Sequence, residues 1–150
     1  MNRRRLLHGA WLLPFATLFV FSGSHADAPP GHYSIGAETV TDNFTRLTWQ
    51  RTASVAMVNS DAIQVCEQLT LGGSNDWRLP SIKELQTIVD ETRTNPAIDV
   101  TAFPGTPSEP FWSASTAVNS GTVIATVDFS GGNTTGANFT MGMARTRCVR

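Results

Sequence analysis

Asp76-Trp77-Arg78-Leu79-Pro80-Ser81-Ile82-Lys83-Glu84-Leu85 carries the clearest local structural signal in the chain. Pro80, with its fixed φ, sets a helix entry. Ser81 at the N-cap and Glu84 three residues on fit a capping box. The pattern predicts a helix from about Ile82 to Asp90, with Leu85, Ile88 and Val89 on its inner face. Upstream, a second helix is predicted from Asn59 to Leu71. Asn59 or Ser60 can cap it, and Asp61 suits its positive first turn. Ala62, Val65, Cys66 and Leu69 share one face, so Cys66 points inward, and Gly72-Gly73 ends the helix.

Further out the period changes from helical to two. Tyr33 to Arg51 reads as a β-hairpin with its turn at Thr41-Asp42-Asn43. Leu47 and Trp49 alternate there with Arg46, Thr48 and Gln50. Downstream, Thr92 to Pro110 is long and irregular. Phe111-Trp112-Ser113 and the alternating Val123, Ala125, Val127 and Phe129 follow as strands, then a turn at Gly131-Gly132-Asn133. Phe139, Met141 and Met143 predict a last strand reaching Val149. Its parity is opposite to that of Cys148, which calls for a bulge near Ala144. The expected class is α+β, two helices packed on a twisted antiparallel sheet with long loops.

The 150 residues are 41% hydrophobic and 15% charged, where soluble domains average roughly 25% charged. A net charge of -1 leaves no basic stripe for nucleic acid. Residues 1–26 read as a cleaved export signal. Arg3, Arg4 and Arg5 precede an apolar run from Leu6 to Phe21, and Ser24-His25-Ala26 closes it. The run is short of the roughly 20 residues of a spanning helix, so no stable membrane insertion is expected after cleavage. The arginines also resemble a twin-arginine address. Export to the periplasm or the outside follows. The mature chain, from Asp27, keeps eight basic and twelve acidic residues, a net of -4. Residues 27–37 are expected to form a flexible leader and 38–150 the domain.

Cys66 and Cys148 both lie in the mature part. An even count in an exported chain points to a disulfide. Such a closure is worth roughly 4 to 5 kcal/mol in the chain-entropy model. A metal site and a catalytic thiol are the alternatives, and two cysteines without clustered histidines make a poor zinc site.

Four blocks of this text carry a family resemblance: Val40-Thr41-Asp42-Asn43 with Leu47-Thr48-Trp49-Gln50; Leu71-Gly72-Gly73 with Asp76 to Leu85; Phe111-Trp112-Ser113-Ala114-Ser115; and Arg147-Cys148-Val149-Arg150. Over residues 38–150 the chain resembles the C-terminal domain family of the Legionella collagen-like adhesin. The resemblance implies a C-type-lectin-like fold, related to that of the formylglycine-generating enzymes, which share an Arg-Leu-Pro-Thr block. It also implies a bridge from the first helix to the last strand, which agrees with a Cys66–Cys148 pairing. Trp49, Asp76, Trp77, Arg78, Leu79, Pro80, Glu84 and Trp112 are then architectural residues, with Arg78 paired to Asp76 or to carbonyls. The chain departs from the family at Arg46, where glycine is usual, so that turn is expected to differ. Collagen-like repeats are absent.

No serine has a plausible histidine base, since His32 lies near the mature terminus, and no enzyme activity or cofactor is expected. Lectin calcium sites use carboxylate and amide triplets. Glu109-Pro110-Phe111 ends on a ring, and Asn75-Asp76-Trp77 has the residues out of order, so no metal is expected. Ligand contacts in the late loops would fall to Asn119, Asn133 and Asn138, although turn chemistry also explains these residues. Asn133 and Asn138 also begin Asn-x-Thr sequons. Arg145 and Arg147, on one face of the expected last strand, are candidates for a polyanion, against which the acidic mature chain argues. The expected function is a secreted or periplasmic recognition domain that binds an extracellular glycan or surface protein. The alternative is a cell-envelope assembly factor acting through stable complexes. One outcome follows directly: thiol labelling of the unfolded, unreduced mature protein should find no reactive cysteine, and labelling at both positions would remove the bridge.

Overall fold

A computed structural model describes residues 29–118 and 120–150. The predicted export signal and Asn119 lie outside the described residues. The alternation around Trp49 builds a first sheet of strands β1 (Tyr33–Ile35), β2 (Thr39–Asp42) and β3 (Thr48–Gln50), antiparallel in the order β1-β2-β3. It is a three-stranded meander rather than one hairpin, and β1 comes from within the segment expected to be leader. Val40 stands opposite Trp49, and both are fully buried. The turn between β2 and β3 is built by Asp42. Its Oδ1 accepts the N–H groups of Phe44 (2.8 Å) and Thr45 (3.3 Å), and its Oδ2 accepts the Thr45 hydroxyl at 2.7 Å.

Helix α1 (Asn59–Glu67) is shorter than its pattern predicts. Val58 takes the N-cap position without a side-chain bond, because Asn59 is buried and its amide reaches toward the Ser113 carbonyl at 3.5 Å. Of the expected inner face, Ala62 and Cys66 are fully buried while Val65 stays exposed. Gly72 and Gly73 do not cap the helix. At φ 58° and 77° they form a two-residue turn across which Leu71 and Ser74 exchange both backbone bonds. Helix α2 (Ile82–Gln86) also stops early, where the Thr87 hydroxyl bonds the Glu84 carbonyl at 2.7 Å and competes with the next turn. Leu85 and Ile88 are buried as predicted.

A second antiparallel sheet, in the order β4-β5-β6, joins β4 (Pro110–Thr116), β5 (Val123–Asp128) and β6 (Asn133–Asn138). The fold is therefore α+β with two three-stranded sheets, not one. The predicted strand from Phe139 does not form. Asn138 ends β6 by accepting, at its side-chain oxygen, the Thr140 and Met141 N–H groups and the Thr140 hydroxyl. Phe139, Met141 and Met143 remain exposed. The register break lies in β4, between Trp112 and Thr116, rather than near Ala144.

The last seven residues run between the two sheets as a seam. Ala144 exchanges both backbone bonds with Met57, Val149 with Arg78, and Arg150 with Thr48. The Trp112 N–H donates to the Arg145 carbonyl and the Gln50 N–H to that of Cys148. Two buried clusters flank the seam: one around Trp49, Leu85, Phe103, Phe111 and Phe129, the other around Ala62, Trp77 and Trp112 with both cysteines.

Arg46, at the departure from the family pattern, sits at φ 65° and is exposed. A side chain in that region costs about 1–2 kcal/mol, and glycine gives back part of the gain through its greater unfolded freedom. Arg46→Gly should therefore raise stability by about 0.5–1 kcal/mol in urea unfolding. A loss would mean that the arginine makes a stabilising contact.

Candidate functional site

Each residue singled out along the seam has a definite partner. Cys66 and Cys148 form the disulfide, with Cα atoms 5.4 Å apart, which ties α1 to the seam and closes the alternatives of metal site and reactive thiol. Trp77 donates its indole N–H to the Leu71 and Ser74 carbonyls at 3.3 and 3.1 Å. Trp112 donates to the Met57 carbonyl at 2.7 Å. The two-glycine turn thus seats one tryptophan and Met57, two residues before α1, seats the other, both as buried architecture.

The arginines differ in part from expectation. Arg78 reaches a carbonyl, that of Leu79 at 3.4 Å, and does not pair with Asp76. It grips Glu84 through both terminal nitrogens, at 2.8 and 2.7 Å, and Asp76 instead takes Arg150 at 2.6 Å. Glu84 also accepts the Ser81 N–H (2.8 Å) and hydroxyl (2.9 Å), while the Glu84 N–H donates to the Ser81 hydroxyl. The Arg78 fork, with Ser81 helping, lowers the Glu84 carboxyl to about 2. Arg145 pairs with Glu109 at 2.7 Å and also donates to the Ser54 carbonyl. The hydrogen bonds from Arg150 and Arg145 hold the Asp76 and Glu109 carboxyls below their usual range. The carboxylates of both triplets weighed for calcium are thus held by guanidinium groups.

Arg147 overturns its reading as a ligand contact, because it is fully buried. It donates to the Gln50 carbonyl at 2.8 Å, to the Arg51 carbonyl, and to the Thr106 hydroxyl at 2.7 Å. Its guanidinium lies 4.6 Å from the Phe103 ring centre. Burial lowers it to about 9, which leaves it charged at neutral pH. Arg145 and Arg147 do not offer one solvated face, since this segment forms only isolated bridges and no regular strand.

The late-loop candidates lie elsewhere, on β6. Asn133 begins the strand and is exposed. Asn138 ends it, its oxygen occupied by the turn described above. The Thr135 hydroxyl meets that of Thr126 at 2.7 Å, and Thr134 receives the Gln86 amide at 2.6 Å. β6 carries no charge, and five of its six residues are exposed.

One feature had no signal in the sequence. A cleft of about 330 Å³ lies between β1 and the segment after α2, lined by Tyr33, Ile88, Asp90 and Asp99 among others. Burial, then Asp42, Asp99 and Asp90, push the Tyr33 phenol up, so it stays protonated. Its residues come from separate segments, and no local spacing could reveal them.

The Lcl C-terminal domain family matches residues 38–150, and the chain belongs to that family. No curated protein matches the chain. Among the described residues, no helix is long and apolar enough to cross a membrane.

The Glu84 hub carries a pH test. A lowered carboxyl contributes stability that is whole above its ordinary 4.5 and is lost as pH falls toward about 2. Glu84→Gln should cost about 1 kcal/mol or more at neutral pH, as a lost cap does. In thermal unfolding its gap from wild type should close as pH drops through that window. A gap of constant size down to the acid end would show that the charge contributes nothing.

Proposed function

We propose that this Lcl C-terminal domain is an exported, adhesin-like recognition module that binds an extracellular glycan or surface protein. Contact is made by neutral hydrogen-bonding groups at the β6 end of the second sheet. The observation that carries this reading is the division of polar groups. Arg78, Arg145 and Arg150 are each paired with a carboxylate and Arg147 is buried, whereas β6 carries no charge and five of its six residues are exposed. Uncharged amides and hydroxyls of this kind suit glycan hydroxyls and polar protein surfaces. The same division argues against sulfated polyanions.

The lectin-like reading of the fold is part of this proposal, supported by the bridge from α1 to the closing segment. A disulfide fits an oxidising compartment, which supports export to the periplasm or beyond. The bridge also occupies both thiols, which favours a role without catalysis.

The test applies the mature domain to a glycan array and a panel of surface proteins. Saturable binding is expected, weakened several-fold by Asn133→Ala, with no retention on heparin at physiological salt. Retention on heparin would overturn the neutral mode, and clean negatives on both panels beside turnover of some substrate would overturn recognition. A stoichiometric partner recovered from envelope extracts would move the reading to an assembly factor.

A further inference from the structure

The cleft between β1 and the segment after α2 combines carboxylates with an apolar wall. Asp90, Glu91 and Asp99 line it together with Ile88 and Val89, and none of its lining residues is a lysine or arginine. Arg93, from outside the lining, answers Asp90 at 3.0 Å. Glu91 is exposed and makes no ion pair among the described residues. Asp99 is 8% exposed, and its Oδ1 accepts the N–H groups of Thr101 (2.8 Å) and Ala102 (3.2 Å). Its Oδ2 has no hydrogen-bond partner among the described residues, and neither has the Tyr33 hydroxyl, which also belongs to the cleft. Neither atom is sealed from solvent. A carboxylate nine-tenths buried, with one oxygen open, calls for a donor from outside. Water can satisfy the oxygen, but only a cation answers the charge.

The other walls narrow the kind of cation. Among the described residues, no three of His, Cys, Asp or Glu gather closely enough to hold a metal ion. The acids are instead spread beside aliphatic and aromatic surface. The His32 ring packs on Tyr33 at 4.3 Å and Phe103 meets Tyr33 edge-on at 5.3 Å, so the phenol ring is fixed in place. A fixed ring attracts a cation at its face, and its free hydroxyl accepts a hydrogen bond from one. Ile88 and Val89 suit the methylene stem behind a charged head. The volume, about 330 Å³, is at the lower end of small-ligand sites, roughly 300–1,000 Å³.

We propose that this cleft binds an alkylammonium group, its ammonium held at the open oxygen of Asp99 beside Tyr33 and its stem lying along Ile88 and Val89. A lysine side chain and a free aliphatic amine carry the same chemistry. Burial, then Asp42, Asp99 and Asp90, raise the Tyr33 phenol, so these carboxylates act on the same spot. An anion meets like charge here. Because the site is open to water, binding is weak and depends on salt.

Titration of the mature protein followed by amide NMR tests this, with Nα-acetyl-lysine methylamide and 1,5-diaminopentane as probes. Pentane-1,5-diol and glutarate serve as the neutral and anionic counterparts. Both amines should saturate and shift the amides of Tyr33, Asp90 and Asp99, whereas the diol and glutarate should bind at least several-fold more weakly. Asp99→Asn keeps an acceptor for Thr101 and Ala102 but removes the charge, and it should weaken amine binding several-fold. Glu91→Gln, at an exposed rim position, should weaken it independently, which keeps the proposal testable if Asp99→Asn does not fold. Glu67→Gln, an exposed acid on α1 outside the lining, should leave it unchanged. The lysine derivative binding at least as well as the diamine would assign the site to a protein side chain, and the reverse order to a free amine. No saturable shift, shifts away from the cleft, or a diol that binds as well as the diamine would overturn the proposal. No β6 residue lines the cleft, so none of these outcomes bears on the β6 reading.

Discussion

The Arg147 guanidinium is the constraint on which the two halves of this fold depend. A cation taken fully out of water demands that its donors be met and its charge be answered. No carboxylate answers it. Two carbonyls at the end of β3 and the Thr106 hydroxyl meet its terminal nitrogens and the face of Phe103 lies against its charge, while its Nε has no hydrogen-bond partner among the described residues. Hydrogen bonds to a charged group are worth about 1.5–3 kcal/mol each, and a desolvated ring face adds about 2. Those partners belong to the first sheet and to the long irregular segment. The arginine itself sits in the seam, which also lies against β4 through the Trp112–Arg145 bond. One buried charge thus fixes where the seam runs, and the seam fixes where the sheets meet.

Around that line the other arginines repeat one theme at lower cost. Arg78, Arg145 and Arg150 each take one carboxylate at the surface, and each pair ties another part of the chain to the seam or the α2 entry. Exposed pairs contribute little individually, typically about 0–1 kcal/mol. The Arg78–Glu84 pair differs because Glu84 also closes the capping box of α2. It couples the cap of a five-residue helix to Arg78, whose backbone pairs with Val149. A helix so short is not stable alone. This link holds it in place.

How much of this was legible depended on how local the cause was. The Ser81–Glu84 capping box spans three residues and could be read directly. The Cys66–Cys148 pairing was legible because two cysteines permit only one bridge. Leu85 and Ile88 followed from helical spacing. Both helices were read too long because the causes of their ends are side-chain bonds: Asn59 toward Ser113, and Thr87 to its own turn. β6 was missed because a polar edge strand leaves no periodic mark. Met141 and Met143 imitated one in a segment that the Asn138 turn breaks. The burial of Arg147 was invisible because its partners at Gln50 and Arg51 lie 97 and 96 residues away. Its neighbour by parity, Arg145, meets water and an acid.

The position of the seam in the chain has a further consequence, for the order of events during synthesis. The residues that join the sheets are the last ones of the domain to be made. Until Arg145 to Arg150 are available, β3 lacks its neighbour, α1 lacks its covalent tie, and the Arg147 site is an empty polar hole among aromatic rings. Loop-closure entropy must be met before such distant contacts give any return. The domain therefore does not fold progressively from its N-terminus as the chain grows. The contacts that join its two sheets form only when its final residues are available.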